Sequence, residues 1–304
     1  MGRLNPTLRQ LRVFVSVVES QGFTRAAEAL HLSQPAVSIQ VKQLEATAGM
    51  PLFDQIGKKI FLTEAGEVLY DCARNLFAEL EDAEERINAL KGVKAGRLRI
   101  AVATTAGYFA TRMLAEFARL YPEIVIRLDV TNRASLLAQL DANSQDMVIM
   151  GEPPPGRDLL ATAFMENPLV VVAAADHPWA GRKRIPLSEL QAQRFVVREP
   201  GSGTRAAVQR FLDAEGVGVQ FAMEMSSNEA IKQAVQAGLG LGICSLHTLE
   251  LELETRRLVV LDVHGFPVMR YWYLVQRAGK RLSPVGALFR DFVLNSERRV
   301  DAGD

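Results

Sequence analysis

Residues 26 to 45 read AAEALHLSQPAVSIQVKQLE, two short runs with apolar residues at helical spacing, broken by Leu32-Ser33-Gln34-Pro35. After the break, Ser33 or Gln34 can cap a new helix, and Pro35 falls in its first turn, where a missing N–H leaves no hydrogen bond unmade. Before it, Ala26, Ala27, Ala29 and Leu30 give small faces that let helices approach closely, with Thr24 as the expected cap. A still earlier helix is predicted from Leu8, Leu11, Phe14, Val15 and Val18, with Gly22 as its stop signal. Short helices joined by so tight a turn read as a helix-turn-helix.

The helix after the break divides into two faces. Val37, Val41, Leu44 and Ala48 share one side, while Gln34, Ser38, Lys42 and Glu45 share the other. Gln and Ser near a helix N-terminus reach base edges in the major groove, and Gln pairs bidentately with adenine. Gln34, Pro35 and Ser38 are therefore the expected base-reading end, with Lys42, Arg25 and Arg12 suited to phosphates. A plain solvated helix face has the same composition, so the next segment matters. Residues 51 to 62, PLFDQIGKKIFL, set Gly57-Lys58-Lys59 between two apolar segments and predict a hairpin with a basic tip. Such a wing grips phosphates through Lys58 and Lys59 with salt-sensitive affinity, although a solvated turn has the same pattern.

Thr63 caps a predicted helix from Glu64 to Leu90, on which Leu69, Ala73, Leu76, Leu80, Ala83, Ile87 and Leu90 repeat at alternating spacings of four and three. That is the seam of a two-helix coiled coil, and it demands a partner. Leu69, Leu76, Leu80, Ile87 and Leu90 are the expected dimer residues, although packing on the chain's own second half would use the same stripe. The acidic flank of Glu79, Glu81, Asp82, Glu84 and Glu85 keeps this helix off DNA.

Composition limits the rest. The 304 residues suffice for two or three domains, and 35 basic against 35 acidic residues give no global charge signal, so any nucleic-acid surface must be local. Apolar runs such as 168 to 175 are too short to span a bilayer, and the N-terminus has no signal-peptide core; a cytoplasmic protein without a membrane partner is expected. Cys72 and Cys244 suggest neither a disulfide framework nor zinc spacing.

From residue 97 onward strands alternate with helices. Leu98 to Ala103, Ile124 to Val130 and Met147 to Met150 are strand candidates in a first parallel unit; Phe195 to Arg198, Phe221 to Met225 and Leu241 to Ser245 form a second, and Tyr271 to Gln276 returns to the first. Two lobes crossed twice leave a cleft, and ligands of open α/β sheets bind beyond strand carboxyl ends. Those positions carry Thr104 and Thr105, Asn132 and Arg133, and then Arg198 with Ser202-Gly203-Thr204 opening a helix. Converging N–H groups and a helix dipole there favour an anion; a simple strand-to-helix turn would use the same glycines. Ser227-Asn228 repeats the arrangement at the next junction.

The segment FTRAAEALHLSQPAVSIQVKQLEATAGMPLF, followed by LTEAG, resembles the DNA-binding signature of the LysR-type transcriptional regulators. GRLRIAVATTAGYFA, NPLVVVAAADHP, VREPGSGTR, SNEAIKQAVQAGLGLGICS and GKRLSPV are similar to the CbbR group, which regulates Calvin-cycle (RuBisCO) operons. The resemblance implies an α/β protein with a winged helix-turn-helix at 1–62, a linker helix at 63–91 and a periplasmic-binding-protein-like effector domain at 92–304. Lobe I would hold about 92–162 and 268–304, and lobe II about 163–267. It further implies a dimer of dimers on double-stranded DNA at an interrupted inverted repeat, RNA polymerase as a further partner, and phosphorylated Calvin-cycle metabolites or NADPH as the effector, with no resident cofactor.

Other signals are set aside. Gly238-Leu239-Gly240-Leu241-Gly242 follows a helix and precedes a strand, the reverse of a dinucleotide fingerprint. His31, His177, His247 and His264 have no ligand spacing, so no metal is expected, and Ser245 and His247 beside Cys244 lack the elbow and acid of a hydrolase. Solute transport and small-molecule catalysis are the competing functions; the first wants a leader, the second a reactive constellation.

Overall fold

The computed structural model describes residues 4–57, 59–90 and 95–300. The chain divides into two compact units, residues 1–84 and 85–304.

The first unit begins with α1 (Leu8–Glu19), α2 (Phe23–Ala29) and α3 (Gln34–Ala48). Thr7 and Gln10 close a capping box on α1, and the Ser33 hydroxyl accepts from Ala36 N on α3. The tight turns close with non-glycine residues in the left-handed region, Gln21 (φ 50) and His31 (φ 54). Leu32 N donates to Ala27 O at 2.9 Å, the long bond of a Schellman closure. α2 starts two residues earlier than the sequence suggests: its cap is Gly22, without a side-chain bond, and Thr24 lies inside the helix.

The hairpin β1 (Phe53–Ile56) and β2 (Lys59–Leu62) turns at Gly57 (φ 64) and leads through Thr63, whose hydroxyl accepts from Gly66 N, into α4 (Glu64–Leu90). Val13, Val17, Ala26, Ala27, Val37 and Val41 form one small core. Leu11, Phe14, Leu44 and Leu52 form a second, which also takes Leu69 and Ala73 from α4. Here the structure corrects the seam. Leu69 is only 6% exposed and is spent inside its own unit, whereas Leu76, Leu80 and Ile87 are 36%, 47% and 53% exposed. The side chain of Leu90 lies outside the described residues.

The second unit is two mixed sheets. Lobe I contains β3 (Gly96–Ala103), α5 (Gly107–Leu120), β4 (Ile124–Thr131), α6 (Arg133–Asp141), β5 (Met147–Met150) and β6 (Leu159–Glu166). Lobe II follows with β7 (Leu169–Ala174), β8 (Arg194–Arg198), α7 (Gly203–Ala214), β9 (Gln220–Met225), α8 (Asn228–Gln236), β10 (Leu241–Ser245), α9 (Glu250–Glu254) and β11 (Leu258–Val260). The chain then returns through β12 (Tyr271–Arg277) and α10 (Pro284–Val300). The sheet orders are β4-β3-β5-β12-β6 and β11-β7-β10-β8-β9.

Strand alternation builds the layers. Leu98, Ile100 and Val102 of β3 face the core with Phe117 and Phe289, while Ala101 faces Leu136 and Leu140 of α6. β6 pairs along its length with β12, so lobe I extends through Glu166, beyond the expected boundary near 162. β6, β7 and β11 escape the sequence reading: β7 is buried at every position, and β6 shows its neighbours mostly exposed side chains, so neither alternates cleanly. Nor is either sheet wholly parallel, since β12 runs antiparallel to β5 and β6, and β7 antiparallel to β10 and β11. The two chain crossings lie side by side, with Leu169 and Val268 exchanging N–H···O bonds of 3.0 Å.

Candidate functional site

In the first unit, α3 presents a polar face because its other side is consumed by packing. Val37, Val41 and Leu44 are buried, while Gln34, Pro35 and Lys42 are exposed and Ser38 half-buried. Gln34 Nε2 donates to Ser38 Oγ at 2.9 Å, which holds the two expected base-reading groups together as one unit. Glu45 belongs elsewhere: its Oε1 accepts from Leu52 N at 2.9 Å and ties α3 to the start of the wing. Arg25 donates to Gln21 O at 2.7 Å and remains exposed beside the turn. Arg12 lies with its guanidinium 5.5 Å from the centroid of Phe77 on α4, a cation–π contact that the sequence spacing does not reveal. Lys59 is exposed on β2, and Lys58 lies outside the described residues.

The second unit holds a cleft of about 430 Å³ at the carboxyl ends of β3, β4, β5 and β8. It is lined by Thr104, Thr105, Asn132 and Arg133 from lobe I and by Arg198, Ser202, Gly203 and Thr204 from lobe II, all expected at strand ends. Asn132 and Ser202 cap α6 and α7, accepting from Ser135 N and Arg205 N. Arg198, although it reaches the lining, is not a free cation: Nε and Nη2 grip Glu199 at 2.7 and 2.9 Å. Glu199 therefore already offsets the charge of Arg198.

Two further arginines, Arg133 and Arg270, line the same cleft. Arg133 Nη1 donates to Glu152 O at 2.6 Å, and Arg270 Nη1 reaches across to Gly203 O at 3.2 Å. Burial holds both guanidiniums below their usual pKa, and the charge of Arg210 on α7 acts in the same direction. Gly151 makes room for Arg270, since a Cβ there would stand 2.5 Å from Nη2. Arg270 and Trp272 escape a search of strand carboxyl ends because β12 runs antiparallel to its neighbours, so its beginning faces the cleft.

Ser227 and Asn228 are not brought to the cleft. Ser227 caps α8, and Asn228 Nδ2 donates to Tyr108 Oη at 3.2 Å within a separate contact between the lobes. There Tyr108 also donates to Glu229, and Lys232, only 3% exposed, bonds Glu229 at 2.8 Å, Glu252 at 2.9 Å and Thr248 O at 3.1 Å. Arg112 of α5 adds a bidentate pair with Glu250 at 3.1 and 2.7 Å.

The glycine run is a helix-to-strand turn. A Cβ on Gly240 would run into the backbone of Arg194 at the start of β8, and one on Gly242 would lie 2.9 Å from Val235 of α8, so the first glycine lets the turn pass close to β8 and the second lets α8 sit tightly on β10. Cys244 is fully buried and its thiol is pushed up to about 12 by that burial, the opposite of a nucleophile.

Comparison with known proteins decides the family. Residues 8–67 match the bacterial regulatory helix-turn-helix domain of the lysR family, and residues 91–298 match the LysR substrate binding domain. The chain belongs to the LysR family of transcriptional regulators. It is 54% identical over 297 residues to the RuBisCO operon transcriptional regulator of Allochromatium vinosum, covering 98% of both chains. The regulatory domain of CcmR from Synechocystis PCC6803, solved in complex with 2-PG, is 44% identical over 65% of this chain and 95% of that one, with a TM-score of 0.63. Full-length CbnR complexed with its target DNA is 20% identical, with a TM-score of 0.71 over 96% of this chain and 99% of that one, and shares the LysR fold from end to end. Among the described residues no helix is long and apolar enough to cross a membrane.

Proposed function

We propose that this LysR regulator is of the CbbR type: a cytoplasmic protein that controls carbon-fixation genes, RuBisCO genes among them, in response to a small anionic metabolite. The observation that carries the reading is the likeness, over 98% of both chains, to a RuBisCO operon regulator. The cleft supports it, because its lining is rich in hydrogen-bond donors and includes three guanidiniums, one of them paired with Glu199. The effector is a phosphorylated Calvin-cycle metabolite or NADPH.

In this reading, α3 enters the major groove with Gln34 and Ser38 on base edges, while Lys42, Lys59 and Arg25 hold phosphates. The exposed stripe of Leu76, Leu80 and Ile87 pairs two chains, so that a dimer places two reading heads on a two-fold-symmetric site, and two such dimers form the tetramer on an interrupted inverted repeat. RNA polymerase is the partner of the activated state. Effector binding closes the lobes, reorients paired effector domains and so changes the spacing or angle of the reading heads. An effector can do this only through unequal affinity for the two states.

A gel-shift titration with a RuBisCO promoter fragment tests the assignment. Retention is expected to survive excess generic duplex and to weaken steeply with salt. Replacing Gln34 with Ala is expected to relax the sequence preference by about 1–3 kcal/mol, whereas replacing Lys59 lowers affinity for all duplexes alike. Equal competition by generic DNA would refute readout by Gln34 and Ser38. A footprint unchanged by saturating metabolite would refute the reorientation.

A further inference from the structure

The cleft contains one donor for which the protein supplies no acceptor. Trp272 is 2% exposed, lines the cleft, and its Nε1–H is buried without a hydrogen-bond partner. An indole N–H can only donate, and a buried donor left unmet in a native fold is uncommon enough to require a reason. The ring is firmly seated: Trp272 pairs with Met165 in the β6–β12 ladder and packs against Phe109 at 5.4 Å between centroids. Met165 and Phe109 are apolar neighbours, and neither side chain offers an oxygen.

Arg270, two residues earlier, is held in the same wall. Its Nη1 is anchored on Gly203 O, and its Nη2 lies against Gly151, where a side chain would leave it no room. Arg133 stands on the other side of Gly203, 3.8 Å from where a Cβ would be. Arg198 is paired with the Glu199 carboxylate, whereas the guanidiniums of Arg133 and Arg270 bond backbone oxygens, those of Glu152 and Gly203.

We infer that Trp272 and Arg270 are the specificity-determining donors of the cleft, receiving one oxyanion group of an effector that carries two negative charges. This deepens the effector reading above and rests on it. Binding gives the indole N–H the acceptor it lacks, and a second anionic group reaches Arg133, which a singly charged analogue cannot supply along with the first.

The test is titration calorimetry on the full-length protein with phosphoglycolate, which bears a phosphate and a carboxylate, beside glycolate, which lacks the phosphate. The wild type is expected to prefer phosphoglycolate by at least about 100-fold, in line with two charge-assisted contacts. Trp272→Phe keeps an aromatic side chain and deletes the N–H; it is expected to weaken phosphoglycolate about tenfold, with some loss of melting temperature because the smaller ring leaves a gap in the core. Arg270→Gln is expected to remove most of the preference. If Trp272→Phe binds phosphoglycolate as the wild type does, the tryptophan is a core residue and the inference is overturned. If the wild type binds both probes equally, the two-charge class is overturned while anion sensing stands. If neither these probes nor inorganic phosphate binds the wild type, the effector reading itself fails and takes the inference with it.

Discussion

Arg270, at the threshold of a strand in lobe I, donates through Nη1 to the carbonyl oxygen of Gly203, the first residue of a helix in lobe II, at 3.2 Å. The bond joins the return crossing to the opposite wall of the cleft, so the residue that supplies positive charge also bridges the two lobes. Its position depends on Gly151, over which the guanidinium lies.

Gly151→Ala is therefore a mutation of the cleft rather than of the fold. The new methyl would meet only the far end of a flexible side chain, at 2.5 Å from Nη2, and Arg270 can swing away. The expected outcome is a loss of about tenfold in phosphoglycolate affinity, the scale of one displaced charge-assisted bond, with a nearly unchanged melting temperature. Calorimetry and a thermal melt on the same preparation check both halves.

Glu45→Ala should destabilise the first unit without changing which DNA sequence it prefers. The carboxylate accepts from Leu52 N, and Leu52 is only 1% exposed, so the lost partner leaves a buried donor unmet. A cost of about 1.5–3 kcal/mol is expected for a bond to a charged acceptor, readable by urea denaturation. A changed operator preference at constant stability would instead put Glu45 on the DNA.

The leucines of α4 should separate by effect although they share one periodicity. Leu69→Ala opens a cavity among Leu11, Phe14 and Leu44 and is expected to cost about 2–5 kcal/mol of stability. Leu80→Asp, at a position 47% exposed, is expected to spare the isolated fold and to shift the protein toward monomer in sedimentation velocity. If Leu80→Asp leaves assembly intact, the exposed stripe is not the seam.

The contact around Lys232 should set a pH window. Lys232→Met would strand Glu252, which is 7% exposed, and is expected to destabilise by about 3–5 kcal/mol. Burial opposes the charges on Glu229 and Lys232, but their mutual hydrogen bond and those to Tyr108 and Glu252 outweigh it, lowering the Glu229 pKa from 4.5 and raising that of Lys232 from 10.5. A lowered carboxyl pKa stabilises fully above 4.5 and is lost as pH falls through the folded value; a raised lysine pKa stabilises fully below 10.5 and is lost as pH rises through its own. The penalty of Lys232→Met should therefore be flat between those limits and shrink outside them, as measured by denaturant titration across pH.

The amino-acid sequence by itself determined what local rules govern. The cap at Ser33, Pro35 in the first turn and the buried run of Val37, Val41 and Leu44 specify α3 and its outward face, because caps and periodicity act within a few residues. Thr104, Asn132 and Ser202 were legible as cleft residues because each follows a strand whose carboxyl end must meet the others. Only the tertiary structure decided which partner each side chain takes. Leu69 left the seam for its own core, Glu45 turned to Leu52, and Arg198 was taken by its neighbour Glu199. Ser227 and Asn228 went to a different junction of the lobes, and Arg270 and Trp272 entered the cleft because β12 runs backwards through the sheet. Strand direction and long-range pairing depend on contacts between residues far apart in the chain, and no local pattern carries them.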